Sequence, residues 1–239
     1  MKRIGNILTL ILVMASSSLY GQYLGFERIE DTDVRKWIPK FEFEYYGAYH
    51  FGDSEAESTL VLFPAGEEII GQVQSGTWND DASAWLNIYD NLSNVRIDAQ
   101  GRFRSDQYNG RFVFYENGGE RQRCLKIYDS WTGVASKKGE YEVGCKDDAA
   151  TDYMFPGKYA HASTRPLSTD ELQQRSQYEL KLMRNEIFAR YGYRFRSGGE
   201  MDTYFRQQKW YRPQHADVKQ FLTSLEKSNI KLIQAAERK

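Results

Sequence analysis

The sequence predicts an α+β protein, with an N-terminal antiparallel β-barrel of eight or nine strands followed by a small three-helix module. Three observations carry this prediction. Between residues 41 and 145, short runs of alternating apolar and polar residues are punctuated by turn signals, with no helical stretch between them. From residue 168 the apolar residues recur at helical spacing behind Ser/Thr-x-x-Glu capping boxes. The charge also divides: residues 22–167 carry 16 Lys and Arg against 24 Asp and Glu, whereas 168–239 carry 14 against 9.

The first element is an export signal. Met1-Lys2-Arg3 is basic, Ile4 to Ala15 is mostly apolar, and Ser16 to Gly21 is small and polar. The apolar run is shorter than the ~20 residues a membrane span needs, so it reads as a secretory peptide cut after Gly21. No later stretch is apolar enough to cross a bilayer, and the mature chain is expected in the periplasm or outside the cell.

Residues 23–155 are the expected barrel. Phe41, Phe43, Tyr45, Gly47, Tyr49 and Phe51 alternate with polar or small partners, a period-two pattern predicting a long first strand. Further strands are expected at 59–63, 68–77, 84–89, 94–98, 102–104, 111–115, 122–128 and 140–145. Asn109-Gly110 and Asn117-Gly118 have the form of two-residue hairpin turns. A meander of this kind removes its edges by closing, as in lipocalin- or avidin-like barrels. Trp78, Trp85 and Trp131 are candidates to fill or line its interior. Asn91-Leu92-Ser93 matches a glycosylation sequon.

Cys124 and Cys145 are the only cysteines, and an oxidising compartment permits a bridge between them. The strand pattern leaves the pairing open. With Leu125 and Ile127 inward, Cys124 turns outward, whereas Cys145 shares the phase of Tyr141 and Val143; a bulge at Gly144 would reconcile the two.

Residues 156–167 are polar and rich in breakers, and read as a linker. The module at 168–239 then opens on Ser168-Thr169-Asp170-Glu171. A long helix follows, with Leu172, Leu180, Met183, Ile187 and Tyr191 on one face, and Gly192 ends it in the left-handed conformation. A second helix is expected behind Ser197-Gly198-Gly199-Glu200, stopped at Pro213, and a third behind Thr223-Ser224-Leu225-Glu226.

The stretch Asn185-Glu186-Ile187-Phe188-Ala189-Arg190-Tyr191-Gly192-Tyr193-Arg194-Phe195, with Tyr204-Phe205, Trp210-Tyr211, Pro213, Glu226 and Asn229-Ile230, resembles the YARHG domain across about residues 168–237. Phe188 stands at the family's tyrosine and Tyr191 at its histidine. The resemblance implies an extracellular bacterial module and brings no reaction with it.

Within the motif, Asn185, Glu186, Arg190 and Gly192 read as structural: Glu186 and Arg190 are spaced for a helical ion pair, and Asn185 is placed to tie a neighbouring loop. Tyr191, Tyr193, Arg194, Arg196, Trp210, Tyr211 and Arg212 form a candidate binding patch, because aromatic faces stack on sugars and guanidinium groups hold carboxylates. His50, His161 and His215 are dispersed, no metal-ligand spacing appears, and no nucleophile motif or phosphate loop is present. The expectation is a non-catalytic envelope protein without cofactor or nucleic-acid partner, binding an envelope glycan, peptide or protein. The alternatives are a small-ligand carrier using the barrel lumen and, further off, a glycan hydrolase whose paired carboxylates meet only in space.

Overall fold

The computed structural model describes residues 21–135, 137–148 and 154–238. The expected export signal lies, up to its last residue, outside them. The architecture is α+β: a curled antiparallel sheet forms a half-barrel, and five helices follow.

Three short strands come first: β1 (Gln22–Leu24), β2 (Glu27–Ile29) and β3 (Val34–Lys36). The meander then runs through β4 (Gly47–Phe51), β5 (Ser58–Ala65), β6 (Glu68–Trp78), β7 (Trp85–Leu92), β8 (Arg96–Ile97), β9 (Arg102–Arg104), β10 (Asn109–Asn117), β11 (Glu120–Tyr128) and β12 (Tyr141–Asp147). Across the sheet the order is β7-β6-β5-β4-β12-β11-β10-β9-β8. Every neighbour is also a chain neighbour except β4 and β12, the first and last strands of the meander, which pair with each other. The circuit therefore closes where the chain begins and ends. It stays unpaired at a seam between β7 and β8, although only residues 93–95 separate those strands.

The concave side carries the larger apolar core of the sheet. Tyr49, Phe51, Leu60, Leu62, Val73, Phe103, Phe112, Leu125 and Ile127 belong to it and are buried, with Trp37 edge-on and Tyr45 tilted against Phe112. Trp131 belongs to this core, against Phe51, whereas Trp78 and Trp85 lie outside it.

On the convex side, Ile29, Val113, Tyr115, Cys124 and Val143 form a second small core under the N-terminal strands. This resolves the cysteine phase. Cys124 does face away from the lumen, but so do Tyr141, Val143 and Cys145, because β1–β3 cover that face. Cys124 sits directly opposite Cys145 and is bonded to it without any bulge, Gly144 pairing regularly with Leu125.

Two sheet expectations are corrected. Residues 41–46 are not strand: Glu42–Tyr45 is a 3-10 turn, which carries Tyr45 into the core and leaves Phe41 and Phe43 exposed and stacked on each other. Asn109-Gly110 is not a turn but the start of β10, paired with both β9 and β11. The chain reverses earlier, where the Ser105 hydroxyl accepts from the backbone N–H groups of Gln107 and Tyr108. The hairpin at Asn117-Gly118 stands, with Asn117 paired to Glu120 across Gly118-Gly119.

The helices are α1 (His161–Thr164), α2 (Thr169–Gln173), α3 (Gln177–Arg190), α4 (Glu200–Arg206) and α5 (Ser224–Glu237). The expected linker at 156–167 is part of this module, since Tyr159, Ala162, Ser163 and Leu167 are buried in or beside its core. The expected single first helix is two. A second capping box, Ser176 with Glu179, restarts the chain after α2. Five helical segments thus stand where three were expected. Ser168 and Thr223 cap as their spacing predicts, but Gly199 supplies no side-chain cap to α4; instead the Asp202 carboxylate accepts from the N–H of Gly198.

Candidate functional site

The end of α3 organises the module. Glu186 and Arg190 are one helical turn apart and form an ion pair buried on both sides, at 2% and 6% side-chain exposure. Each also holds the chain entering α1. The Glu186 carboxylate accepts from the backbone N–H groups of Lys158 (2.9 Å) and Tyr159 (2.6 Å). The Arg190 guanidinium donates to the Pro156 carbonyl (2.8 Å) and to the Ser163 hydroxyl (2.8 Å). Four hydrogen-bonding partners thus surround the pair, which is what a buried ion pair needs to offset its desolvation. Asn185, expected to tie a neighbouring loop, donates only to the Lys181 carbonyl one turn back in its own helix.

Tyr191 is buried at the boundary between sheet and helices. Its hydroxyl donates to Glu226 (2.7 Å) and accepts from the Gln72 amide of β6 (3.3 Å), and its ring meets Tyr89 of β7 edge-on. Glu226, fully buried, also receives the Ser163 hydroxyl (2.5 Å) and the Thr223 N–H (3.0 Å). A chain of polar contacts therefore runs from Glu186 through Arg190, Ser163, Glu226 and Tyr191 to Gln72, joining α1, α3, α5 and the sheet. Burial raises the Glu226 carboxyl above its ordinary range, although Ser163, Tyr191, Thr223 and Arg190 all favour its charged form; burial and the Glu226 charge push the Tyr191 phenol far up.

The sign of the Glu226 effect follows from linkage. With a folded pKa above the unfolded one, its contribution to stability is complete below about pH 4.5 and is lost as pH rises through the folded value. Glu226→Gln, which mimics the protonated acid, should therefore gain on the wild type between pH 4.5 and neutrality in urea titrations. A stability difference independent of pH over that range would show that Glu226 ionises as easily folded as unfolded.

Gly192 sits at φ +69°, and a Cβ there would lie 2.6 Å from the Arg212 carbonyl oxygen, so both conformation and contact require glycine. Its own carbonyl accepts from the N–H groups of Gln214 (2.7 Å) and His215 (2.9 Å). This contact places two side chains on the open edge of β7. The Gln214 amide accepts from Asn87 N–H and donates to the Trp85 carbonyl, both at 3.1 Å, as a neighbouring strand would; His215 Nε2 bonds the Asn87 carbonyl at 2.9 Å. Farther along, the Asn91 side chain donates to the carbonyls of Gln220, Phe221 and Leu222, and Gln72 donates to Phe221. The module thus covers the edge strand that the seam leaves unpaired. It also removes the sequon reading, because the amide nitrogen a glycan would need is committed to this junction.

The candidate binding patch does not form one surface. Tyr191 faces the sheet, and Tyr211 is buried with its hydroxyl on the Tyr193 carbonyl. Tyr193 and Trp210 are half-buried in an aromatic cluster with Phe195 and Phe205. Only Arg194, Arg196 and Arg212 of the seven are exposed. The correction has a simple cause: in a module this small the aromatic residues supply the core and are not available as a display.

Two concavities flank the junction. A groove of about 530 Å³ lies between the β6–β7 end of the sheet and the start of α5, lined by Glu67, Glu68, Asn91, Ser93, Asn94, Arg96, Thr223, Ser224 and Lys227 among others. Glu68 accepts from the Ser224 hydroxyl across it (3.2 Å). A second cleft of about 310 Å³ lies over β6 and β7 on the other side of Tyr89. Among the described residues no group of three His, Cys, Asp or Glu side chains is placed to hold a metal ion, and no helix is long and apolar enough to cross a membrane.

The model of one family matches this chain, over the segment built around these contacts. Residues 157–238 are a YARHG domain. The boundary falls at Gly157, which agrees with the burial of Tyr159 and Ser163 and not with a linker reaching to 167. YARHG domains are typical of secreted proteins. The N-terminal sheet matches no family, and neither a curated protein nor a solved structure matches the chain. In this YARHG domain the motif arginine and the tyrosine at the histidine position are internal ties. Gln72, Asn91 and Gln214, which complete the junction, are not legible as such in the sequence, because their partners lie 149, 130 and 129 positions away.

Proposed function

We propose that the protein is an exported, non-catalytic binding protein of the cell envelope, and that its principal site is the groove where the YARHG domain meets the sheet. The observation that supports this is the composition of that groove. Glu67 and Glu68 line it together with Arg96 and Lys227, so it offers both signs of charge alongside the side chains of Ser93, Asn94 and Ser224. A ligand carrying ammonium and carboxylate groups on a polar chain, such as a cell-envelope peptide, matches that lining better than an apolar or uniformly charged one. The walls are preorganised, since Asn91 is fixed by the junction and Thr223 by the cap of α5.

The test is retention of the mature chain on cell-wall sacculi that carry their peptides, compared with sacculi stripped of them. Retention is expected on the first and should weaken about tenfold when Arg96 and Lys227 are both reversed to Glu, both being exposed positions that leave the fold intact. Absence of retention at low and at physiological salt, or equal retention by the double variant, would remove the proposal.

A further inference from the structure

We infer that the cleft over β6 and β7 is a binding site for a neutral glycan chain, separate from the junction groove and sharing no lining residue with it. The cleft holds about 310 Å³, within the range of small-ligand pockets of roughly 300–1,000 Å³. Its wall is Trp85 and Tyr89, with the amides of Gln74 and Asn87, the Ser75 hydroxyl and the Glu57 carboxylate around them.

The tryptophan is held in place by design of the strand beneath it. A Cβ on Gly76 would stand 2.0–2.6 Å from three atoms of the Trp85 indole, so the ring lies directly over a residue without a side chain. Gly76 has no positive φ, and its backbone is that of an ordinary strand residue paired with Asn87. Glycine is therefore required here by the ring above it and not by a turn. Trp78 stands beside Trp85, centroids 5.5 Å apart and edge-on, with 48% of its surface exposed and its indole N–H on Glu55 (3.2 Å). Neither indole belongs to any of the three apolar cores, so burial does not account for them.

An indole held open beside amides is the chemistry of sugar recognition: the apolar C–H face of a pyranose lies on the ring, and each amide both donates to and accepts from ring hydroxyls. The sign of charge narrows the class further. The cleft is lined by Glu57, Glu55 lies next to it, and no Lys or Arg lines it, so a phosphorylated or uronic polymer is disfavoured relative to a neutral or N-acylated one.

The probe is the β-1,4-linked N-acetylglucosamine tetramer titrated into the full mature protein, read by tryptophan fluorescence and by calorimetry, with cellotetraose as a second neutral chain and polygalacturonate as the anionic one. Saturable binding of a neutral tetramer with an indole signal is expected. Trp85→Ala should weaken it about tenfold or more, and Gly76→Ala, which displaces the ring while leaving it in the chain, by a similar factor. Trp78→Ala, at an exposed position, keeps the test valid if a Trp85 variant fails to fold, and should weaken binding severalfold. Lys227→Glu should leave the tetramer affinity unchanged, which separates this site from the junction groove. No indole response to either neutral tetramer at millimolar concentration, preference for polygalacturonate, or wild-type affinity in the Trp78 and Trp85 variants would overturn the assignment.

Discussion

Arg190→Ala should destabilise the protein by about 3–5 kcal/mol, the range for removing one partner of a buried ion pair. The cost exceeds that of a surface bridge for a stated reason. The guanidinium is 6% exposed and satisfies Glu186, the Pro156 carbonyl and the Ser163 hydroxyl at once, so alanine leaves a carboxylate without its counter-charge and a carbonyl without its donor in a dry interior. Lysine keeps the charge but has no planar fork to reach three acceptors, and Arg190→Lys should fall between alanine and wild type. Pairing Glu186→Gln with Arg190→Met removes both charges; it should cost less than alanine alone, because no unpaired charge is left buried. Urea unfolding followed by tryptophan fluorescence measures all three. An Arg190→Ala protein within about 1 kcal/mol of wild type would show the pair to be solvated and its network of little energetic weight.

The same residues show where sequence reasoning reaches and where it stops. Glu186 and Arg190 are four apart in one helix, and Gly192 ends that helix, so local spacing was enough to predict the pair and the turn. The capping boxes at Ser168 and Thr223 and the alternating strands 59–63 and 122–128 are local in the same sense. Their partners are not. Glu186 holds the N–H groups of Lys158 and Tyr159, 28 and 27 positions back, and Gln72 meets Phe221 across 149 positions. Nothing in the 156–167 stretch announces that its polar residues are organised by a buried carboxylate, so it reads as a linker. Phe41 and Phe43 alternate like a strand, but alternation does not report that the chain must turn at Glu42–Tyr45 to bring Tyr45 onto Phe112.

The two clefts are hidden from the sequence for a related reason. Aromatic and basic residues close in sequence suggest a surface, yet Tyr191 and Tyr211 are interior. The clefts are assembled from segments such as Glu67–Gly71, Asn91–Arg96 and Leu222–Lys227, whose proximity depends on the seam lying beside α5. The opposite net charges of the two halves do not explain their contact either. Among the described residues no ion pair joins them; the junction is made by the amides of Gln72, Asn91 and Gln214, the His215 ring, the Tyr191 hydroxyl and aromatic contacts, with Glu68 on Ser224 as a charged contribution. Such a junction should be insensitive to salt, unlike one steered by charge.

Breaking the Cys124–Cys145 bridge should cost roughly 3 kcal/mol, the chain-entropy value for a loop of about 20 residues. The double variant Cys124→Ala with Cys145→Ala tests it. Cys124 is fully buried beside Val113 and Val143, so alanine leaves a small apolar gap in addition to losing the cross-link, whereas dithiothreitol opens the bridge without removing atoms. The two treatments separate the contributions: reductant should lower the wild-type midpoint and leave the double variant unchanged, and any excess loss in the variant is packing. The bridge ties β11 to β12, and β12 pairs onward with β4, where the two ends of the meander meet. Opening it should therefore loosen the closure of the circuit first, read as faster amide exchange at His50 and Cys145 than at the β5–β6 ladder. A wild-type protein with the same midpoint in the presence and absence of reductant would mean that the sheet closes without help from the bridge.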